Sequence, residues 1–252
     1  MNILLTNDDG INSPGIQVLQ KALSKKHNVW VVAPDGDRSG ISHSITLKKP
    51  VKMIKVSEQV FACDGTPVDC ILISNQGAIP VKPDIVIAGM NLGSNLGSDI
   101  LFSGTAAAAR QAALLGYTAI ATSIDSFEPP FYFDLPTEFV EENLSAFKAI
   151  WTPSHFININ FPNVKNAGYN IEITHLAHLK YTSTLTSFTA PTGEIYHFYR
   201  GTLNGIAPED GSDWAAISRG NISISPVYLL HVLDKEEDNY SPEMFKKPAA
   251  SI

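Results

Sequence analysis

Apolar residues fall along this chain in short blocks separated by polar, glycine-bearing stretches. Residues 2–6 (Asn-Ile-Leu-Leu-Thr) have the make-up of a short buried strand that stops at Asn7-Asp8-Asp9-Gly10. Pro14 then opens a helical pattern in which Ile16, Val18, Leu19, Ala22 and Leu23 share one face. Residues 28–33 form a second apolar block, closed by Pro34-Asp35-Gly36. Two apolar strands around one amphipathic helix make a βαβ unit, whose crossover is right-handed by rule. The spacing further predicts a hairpin in 51–63, a helix over 67–75 behind Thr66-Pro67, and a buried strand at 84–88. A helix over 105–115 and a strand at 118–123 complete the first half.

Two polar stretches interrupt this rhythm: 35–50, rich in Ser and Gly, and a glycine-rich loop from Gly89 to Phe102. Long connections in compact domains are often functional. Both follow strands, so they gather at the carboxyl edge of a doubly wound sheet, where such folds bind their ligands. After residue 125 the pattern changes. It predicts a helix at 136–150, a strand at 155–160 and strand-like segments at 170–176, 180–189 and 194–200, with Gly193 as a hairpin turn between the last two. The tail, 233–252, is charged and poor in apolar residues, a docked or a loose arm.

Composition narrows the class. The 252 residues are 44% hydrophobic and 17% charged, which excludes a disordered chain and a coiled coil. The net charge of −7 argues against wrapping long nucleic acid, which requires a basic face. It does not argue against a small anionic substrate, since a metal or a helix end inverts the local sign. Two cysteines, Cys63 and Cys70, are too few for a disulfide framework and lack a zinc pattern; they read as reduced, buried thiols of a cytoplasmic protein. No apolar run approaches 18 residues, so no membrane span is expected, and the first residues lack the basic region of a signal peptide.

Four features carry candidate chemistry. Asp8 and Asp9 stand side by side at the end of the first strand. Two adjacent carboxylates are costly to desolvate together, and a hard divalent cation removes that cost; the alternative is a polar turn with an Asp cap. The stretch Asp37-Arg38-Ser39-Gly40-Ile41-Ser42-His43-Ser44 follows the second strand and falls at the same edge. A Ser hydroxyl there can complete a metal shell, and His43 is either an acid–base group or a hydrogen-bonded structural one. Gly89-Met90-Asn91-Leu92-Gly93-Ser94-Asn95-Leu96-Gly97 allows close backbone approach and offers two amides; taken alone, it reads as a loop needing positive φ. Ser103-Gly104-Thr105 precedes an alanine-rich helix, as a plain N-cap or as an anion site. Together these supply what metal-assisted phosphate-ester hydrolysis needs: carboxylates for a cation and fixed donors for the developing charge.

With these residues in view, the chain resembles the stationary-phase survival protein SurE family of metal-dependent 5′-nucleotidases. The resemblance rests on 4–11 (Leu-Leu-Thr-Asn-Asp-Asp-Gly-Ile), Pro14-Gly15-Ile16, Val32-Ala33-Pro34-Asp35, Ser39-Gly40, His43-Ser44 and Gly65-Thr66-Pro67 with Asp69-Cys70. It continues through Pro83-Asp84, the glycine-rich loop, Ser103-Gly104-Thr105, Asn158-Ile159-Asn160-Phe161-Pro162 and Asp213-Trp214 with Gly220. It implies one divalent ion per subunit, Mn²⁺ or Mg²⁺, on Asp8, Asp9, Ser39 and Asn91, with Asp8 and Asp9 as the catalytic pair. The substrate phosphate would meet Asn95, Ser103, Gly104 and Thr105. The implied fold is α/β. A Rossmann-like, mostly parallel core spans 1–125. A smaller part, 126–252, completes the sheet, carries an extended hairpin and mediates assembly into homodimers or homotetramers. The implied substrates are nucleoside 5′- and 3′-monophosphates, sometimes short polyphosphate. The chain departs from the family at Ser42, where glycine is usual, and in Asp210-Gly211-Ser212-Asp213.

Rival readings fail on motif. Aspartyl-phosphate phosphatases need two Asp separated by one residue, whereas Asp8 and Asp9 are adjacent. A dinucleotide enzyme needs Gly-x-Gly-x-x-Gly after the first strand, and no P-loop is present. A nucleotide sensor on the same fold stays open, because binding phosphate does not require turnover.

Overall fold

The computed structural model describes residues 1–165, 169–203 and 207–230. Nine strands among them form one sheet. Its centre is parallel: β4 (Val60–Cys63), β2 (Asn28–Pro34), β1 (Asn2–Thr6), β5 (Ile85–Leu92), β6 (Thr118–Ile124) and β7 (His155–Phe161), in that order. β3 (Met53–Ser57) closes one end antiparallel to β4, which is the hairpin expected in 51–63. At the other end β11 (Ile222–Tyr228) runs antiparallel to β7, and β8 (Ile171–Ile173) lies parallel to β11.

Side-chain alternation makes two apolar layers from one strand set. Ile3 and Leu5 of β1 face the layer built by Ile16, Leu19 and Leu23 of α1 (Pro14–Leu23) and by Phe139, Leu144 and Phe147 of α4 (Asp134–Ile150). Leu4 faces the opposite layer, with Cys70 and Ile71 of α2 (Pro67–Ile73) and the alanines of α3 (Gly104–Leu114). Ala106 to Ala109 are fully buried; small side chains let α3 lie close on the sheet. α1 needs its own close approach: a Cβ on Gly15 would stand 2.0 Å from the Met90 carbonyl oxygen.

The expected elements of the first half all form, with bounds shifted by a residue or two at most sites. β5 differs: it runs on through Leu92, into the stretch expected to be loop. Its pairing with β6 shifts register between Ala88 and Asn91, an irregularity of the kind that bends a strand. The sheet also crosses residue 125 without a break, since β7 pairs with β6.

In the second half, α5 (Asp213–Ser218) and β11 had no counterpart in the sequence reading. α5 is six residues long, too short for a periodic signal. β11 contains Pro226, which argues against a sheet interior, and its Ser223 and Ser225 read as polar. Tertiary pairing overrides both: the two hydroxyls are buried and meet Thr174 Oγ1 at 2.8 and 2.7 Å. The strand expected over 170–176 shrinks to three residues. β9 (Tyr181–Thr189) and β10 (Ile195–Leu203) form the expected hairpin as a separate ribbon. The tail 233–252 lies outside the described residues. Cys63 and Cys70 are free and buried. No helix of the described residues is long and apolar enough to cross a membrane.

Candidate active site

β1 ends at Thr6, and the next three residues stay inside the molecule: Asn7 and Asp8 are buried and Asp9 is half-buried. Asp8 is fixed from three sides. Its Oδ2 accepts the Gly104 N–H at 2.9 Å, its Oδ1 accepts the Thr105 hydroxyl at 2.6 Å, and its carbonyl accepts the Arg38 N–H at 2.7 Å. The carboxylate thus sits at the start of α3, where the helix dipole favours a negative charge. Burial pushes the Asp8 carboxyl up, and the Thr105 and Gly104 hydrogen bonds pull against it. Asp9 Oδ2 accepts the Leu92 N–H at 3.2 Å. Its carboxyl is pushed up to about 7, first by burial and next by the charge of Asp8.

The loop after β2 is tied to this corner through the Arg38 amide. Arg38 also holds Asp35 at 2.7 Å. Ser39, one residue on, is exposed; its hydroxyl donates to Asp37 Oδ1 at 2.6 Å, and Asp37 in turn adds a small upward push on Asp9. Ser42 stands where the resemblance leads one to expect glycine. It carries φ 57°, the left-handed region, and its N–H donates to the Phe102 carbonyl at 3.0 Å. His43 is half-buried and bonds through Nε2 to Gln111 Oε1 of α3 at 3.0 Å, so its ring ties the loop to that helix.

In the glycine-rich stretch, Asn91 donates from Nδ2 to the Gly93 carbonyl at 2.7 Å, which commits its N–H₂ and leaves Oδ1 as the available atom. Asn95 is buried and pinned by β7. Its N–H donates to Asn160 Oδ1 at 2.8 Å, its carbonyl accepts from Asn158 and Asn160, and its Nδ2 donates to Ser123 Oγ at 2.8 Å. A second clamp comes from the carboxyl-terminal part. Asp213, fully buried, accepts the Gly97 N–H at 2.7 Å and the Ala177 N–H at 2.9 Å. Asn158, Asn160 and Asp213 figured in the motif set but not among the expected site residues. A polar residue repeated at i, i+2 in an otherwise apolar strand was the available signal.

The Ser103-Gly104-Thr105 turn does two things. Ser103 caps α3, accepting the Ala106 N–H at 3.0 Å. Gly104 and Thr105 give their donors to Asp8. The close approach that glycine permits is therefore made by this carboxylate: a Cβ on Gly104 would stand 2.8 Å from Asp8 Cβ and 2.9 Å from its Oδ2. Of the expected phosphate contacts, Gly104 and Thr105 thus position Asp8, and Asn95 is bonded into β7.

The donor set fits a hard cation. Among the described residues no group of three or more His, Cys, Asp or Glu side chains could hold a metal ion, so the acidic share is two carboxylates and the remaining ligands must be neutral oxygens. Asp8, Asp9 and Asn91 Oδ1 offer oxygens of that kind, and Ser39 offers a hydroxyl on the adjoining loop. The buried Asn7 Oδ1 has no hydrogen-bond partner, which adds an unspent oxygen beside the acidic pair. The upward push on Asp9 records how unfavourable the doubly ionised pair is without a counter-charge.

Fold and site define a class: a doubly wound α/β protein with an acidic pair at the carboxyl edge of its first strand, backed by a helix N-terminus. Comparison with known proteins narrows it. A family model described as Survival protein SurE matches residues 3–183. Relatives named 5′-nucleotidase SurE include one from Geotalea daltonii, 35% identical over 91% of this chain and 93% of its own length. Another, from Kosmotoga olearia, is 36% identical over 97% of each. The crystal structure of the SurE protein of Aquifex aeolicus matches with a TM-score of 0.81 and 32% identity, covering 94% of this chain and 96% of its own. The chain belongs to the SurE family.

Proposed function

We propose that the chain is a metal-dependent 5′-nucleotidase that hydrolyses nucleoside 5′-monophosphates, and 3′-monophosphates as second substrates, to nucleoside and phosphate. The observation that carries this is the corner where buried Asp8 receives the Gly104 amide and the Thr105 hydroxyl while Asp9 stands beside it. Full-length relatives that bear the name 5′-nucleotidase support the same reading.

Asp8, Asp9, Ser39 and Asn91 would hold one Mn²⁺ or Mg²⁺. When bound, the ion supplies Lewis-acid polarisation of a phosphoryl oxygen and lowers the pKa of the attacking water. The chain's own residues supply the rest. α3 and the Arg38 amide keep Asp8 in one orientation, so its charge does not reorganise during reaction. Asp9 engages Leu92 through Oδ2 and leaves Oδ1 to hold an ion or receive a proton. Asn158 and Asn160 stiffen the backbone at Asn95, and Ser103 is held at the start of α3, so that the second Nδ2 hydrogen of Asn95 and the Ser103 hydroxyl are offered as donors from fixed positions. The acid–base part proposed for His43 is weaker, since its Nε2 is engaged by Gln111.

The carboxyl-terminal ribbon supports a homodimer or homotetramer. Phe188 stacks on Tyr196 and Phe198 with ring centroids 5.4 and 5.8 Å apart, yet all three rings are at least half exposed, and a two-stranded ribbon is marginal in water without cover.

The test is phosphate release from a panel of nucleoside monophosphates, with chelator and with Mn²⁺ or Mg²⁺ restored. Release that stops with chelation and returns with the ion is expected. Release untouched by chelation removes the ion from the reaction, and binding without release leaves the sensor reading in its place.

A further inference from the structure

Next to the acidic corner lies a cavity of about 290 Å³ that none of the expected site residues lines. Its walls come from the ends of neighbouring strands. Ser94 follows β5, Asp125 and Phe127 follow β6, and Tyr181 and Trp214 close it from the carboxyl-terminal part, with Asp99 beside them. β1, β5 and β6 are successive neighbours. Residues after β6 therefore stand about two strand spacings, roughly 10 Å, from Asp8 and Asp9. That is the reach from the phosphate of a nucleotide to its base.

The chemistry of the walls suits a neutral, flat, hydroxyl-bearing group. Phe127 is 77% exposed, and its ring lies directly on the glycine-rich stretch: a Cβ on Gly93 would stand 2.1 Å from Phe127 Cε1. Gly93 is the residue whose carbonyl holds Asn91, so the ring and a proposed metal ligand share one support. Asp125 accepts the Ser94 hydroxyl at 2.7 Å through Oδ1, which leaves Oδ2 for another donor. Tyr181 donates its hydroxyl to Asp99, so both carboxylates are positioned by neighbours. Among the described residues no Lys or Arg lines the cavity. Two carboxylates without a cation disfavour a further phosphate there and favour an uncharged sugar and base.

We propose that this cavity takes the nucleoside half of the substrate. Phe127 is the stacking face for the base, and Asp125 is the acceptor for the ribose hydroxyls. This rests on the nucleotidase reading and adds the residues that set its specificity.

The test compares kcat/KM for adenosine 5′-monophosphate and ribose 5-phosphate, and separately the binding of adenosine, followed by quenching of tryptophan fluorescence. Phe127→Ala should lower the preference for the nucleotide over ribose 5-phosphate about tenfold, the loss of one base–aromatic stack, and weaken adenosine to the same degree. Asp125→Asn should lower the preference for adenosine 5′-monophosphate over its 2′,3′-dideoxy analogue about threefold. If nucleotides are hydrolysed and both ratios stay within twofold of wild type, the cavity assignment is overturned and the nucleotidase reading stands. If no ester is hydrolysed but Phe127→Ala still weakens adenosine, the nucleotidase reading fails and the nucleoside site stands. Adenosine binding indifferent to both substitutions overturns the assignment whatever the activity.

Discussion

At the end of β1, Thr6, Asn7 and Asp8 are all buried, whereas along β9 not one of nine residues is. The two stretches belong to different kinds of sheet. β1 lies between β2 and β5, covered by helices on both faces, so its last residues leave the strand already held by neighbours. Among the described residues the outer part of the β9–β10 ribbon is held by cross-strand pairs, Phe188 opposite Tyr196 and Leu185 opposite Tyr199. The lesson is about what burial does for chemistry. A carboxylate can be kept at one orientation only where the surrounding layers over-determine it, and that is costly because its charge is desolvated. The ribbon carries no such cost and gains no such precision. Its apolar side chains, Leu185, Phe188 and Phe198 among them, stay exposed.

The sharpest way to break this contrast is to alter the corner itself. Asp9→Asn should lower nucleotide hydrolysis by three orders of magnitude or more, as expected when about 4 kcal/mol of ion-dependent stabilisation goes. The metal-free variant should melt no lower than wild type, because one of two adjacent, poorly solvated carboxylates has gone. Near-normal turnover with Mn²⁺ present would take Asp9 out of the reaction. Next in size is Gly15→Ala. The added Cβ meets a backbone carbonyl at 2.0 Å, and backbone cannot swing away as a side chain can. The cost should be about 3 kcal/mol, near the upper end for overpacking, seen as a melting point lower by about 10 °C. An unchanged melt would show that α1 can slide on β5.

Asp69 probes a carboxylate buried for structure alone. It closes the capping box of α2 with Thr66 and accepts both the amide and the hydroxyl of Thr46, at 2.9 and 2.6 Å. Burial alone would raise its pKa; the hydrogen bonds outweigh burial and hold it below the ordinary value. The stabilisation is therefore full above the unfolded value near 4 and is lost as pH falls through the lower folded one. Asp69→Asn should cost about 1 kcal/mol at neutral pH and flatten the acid limb of stability. Urea melts at about pH 6 and about pH 3 measure both, and an equal acid slope in the two proteins would refute the assignment. The smallest effect on the chain itself is expected in the ribbon. Phe188→Asp should move the melting free energy of the subunit by about 0.5 kcal/mol or less. Sedimentation should nonetheless report a lower mass, and an unmoved mass would separate the ribbon from assembly.

Several of these contrasts were legible in the residues. Asp8 and Asp9 stood out because two adjacent carboxylates after an apolar block are chemically unusual. The hairpin around Gly193 followed from alternation and a turn residue. α5 and β11 were hidden, because a six-residue helix has no measurable period and a strand holding Pro226 and two serines imitates a loop. Gly104, expected beside the substrate phosphate, also donates its N–H to Asp8, a residue 96 positions away in sequence. Likewise Asn160 and Asp213 act on the glycine-rich stretch across 65 and 116 residues, and no local pattern encodes such a pairing.

The order of residues alone determined the alternation of apolar blocks and polar edges, and with it a layered α/β architecture and the placing of acids, amides and hydroxyls after strands. Those follow from periodicity and side-chain chemistry, which are local. Which donor meets which acceptor was decided by the packed molecule. Helix α3 turns its first amides to Asp8, β7 grips Asn95, and the cavity under Phe127 closes only when strands from both halves lie side by side. Such contacts depend on the relative placement of whole elements, and that placement is set by how two apolar layers fill space around one sheet.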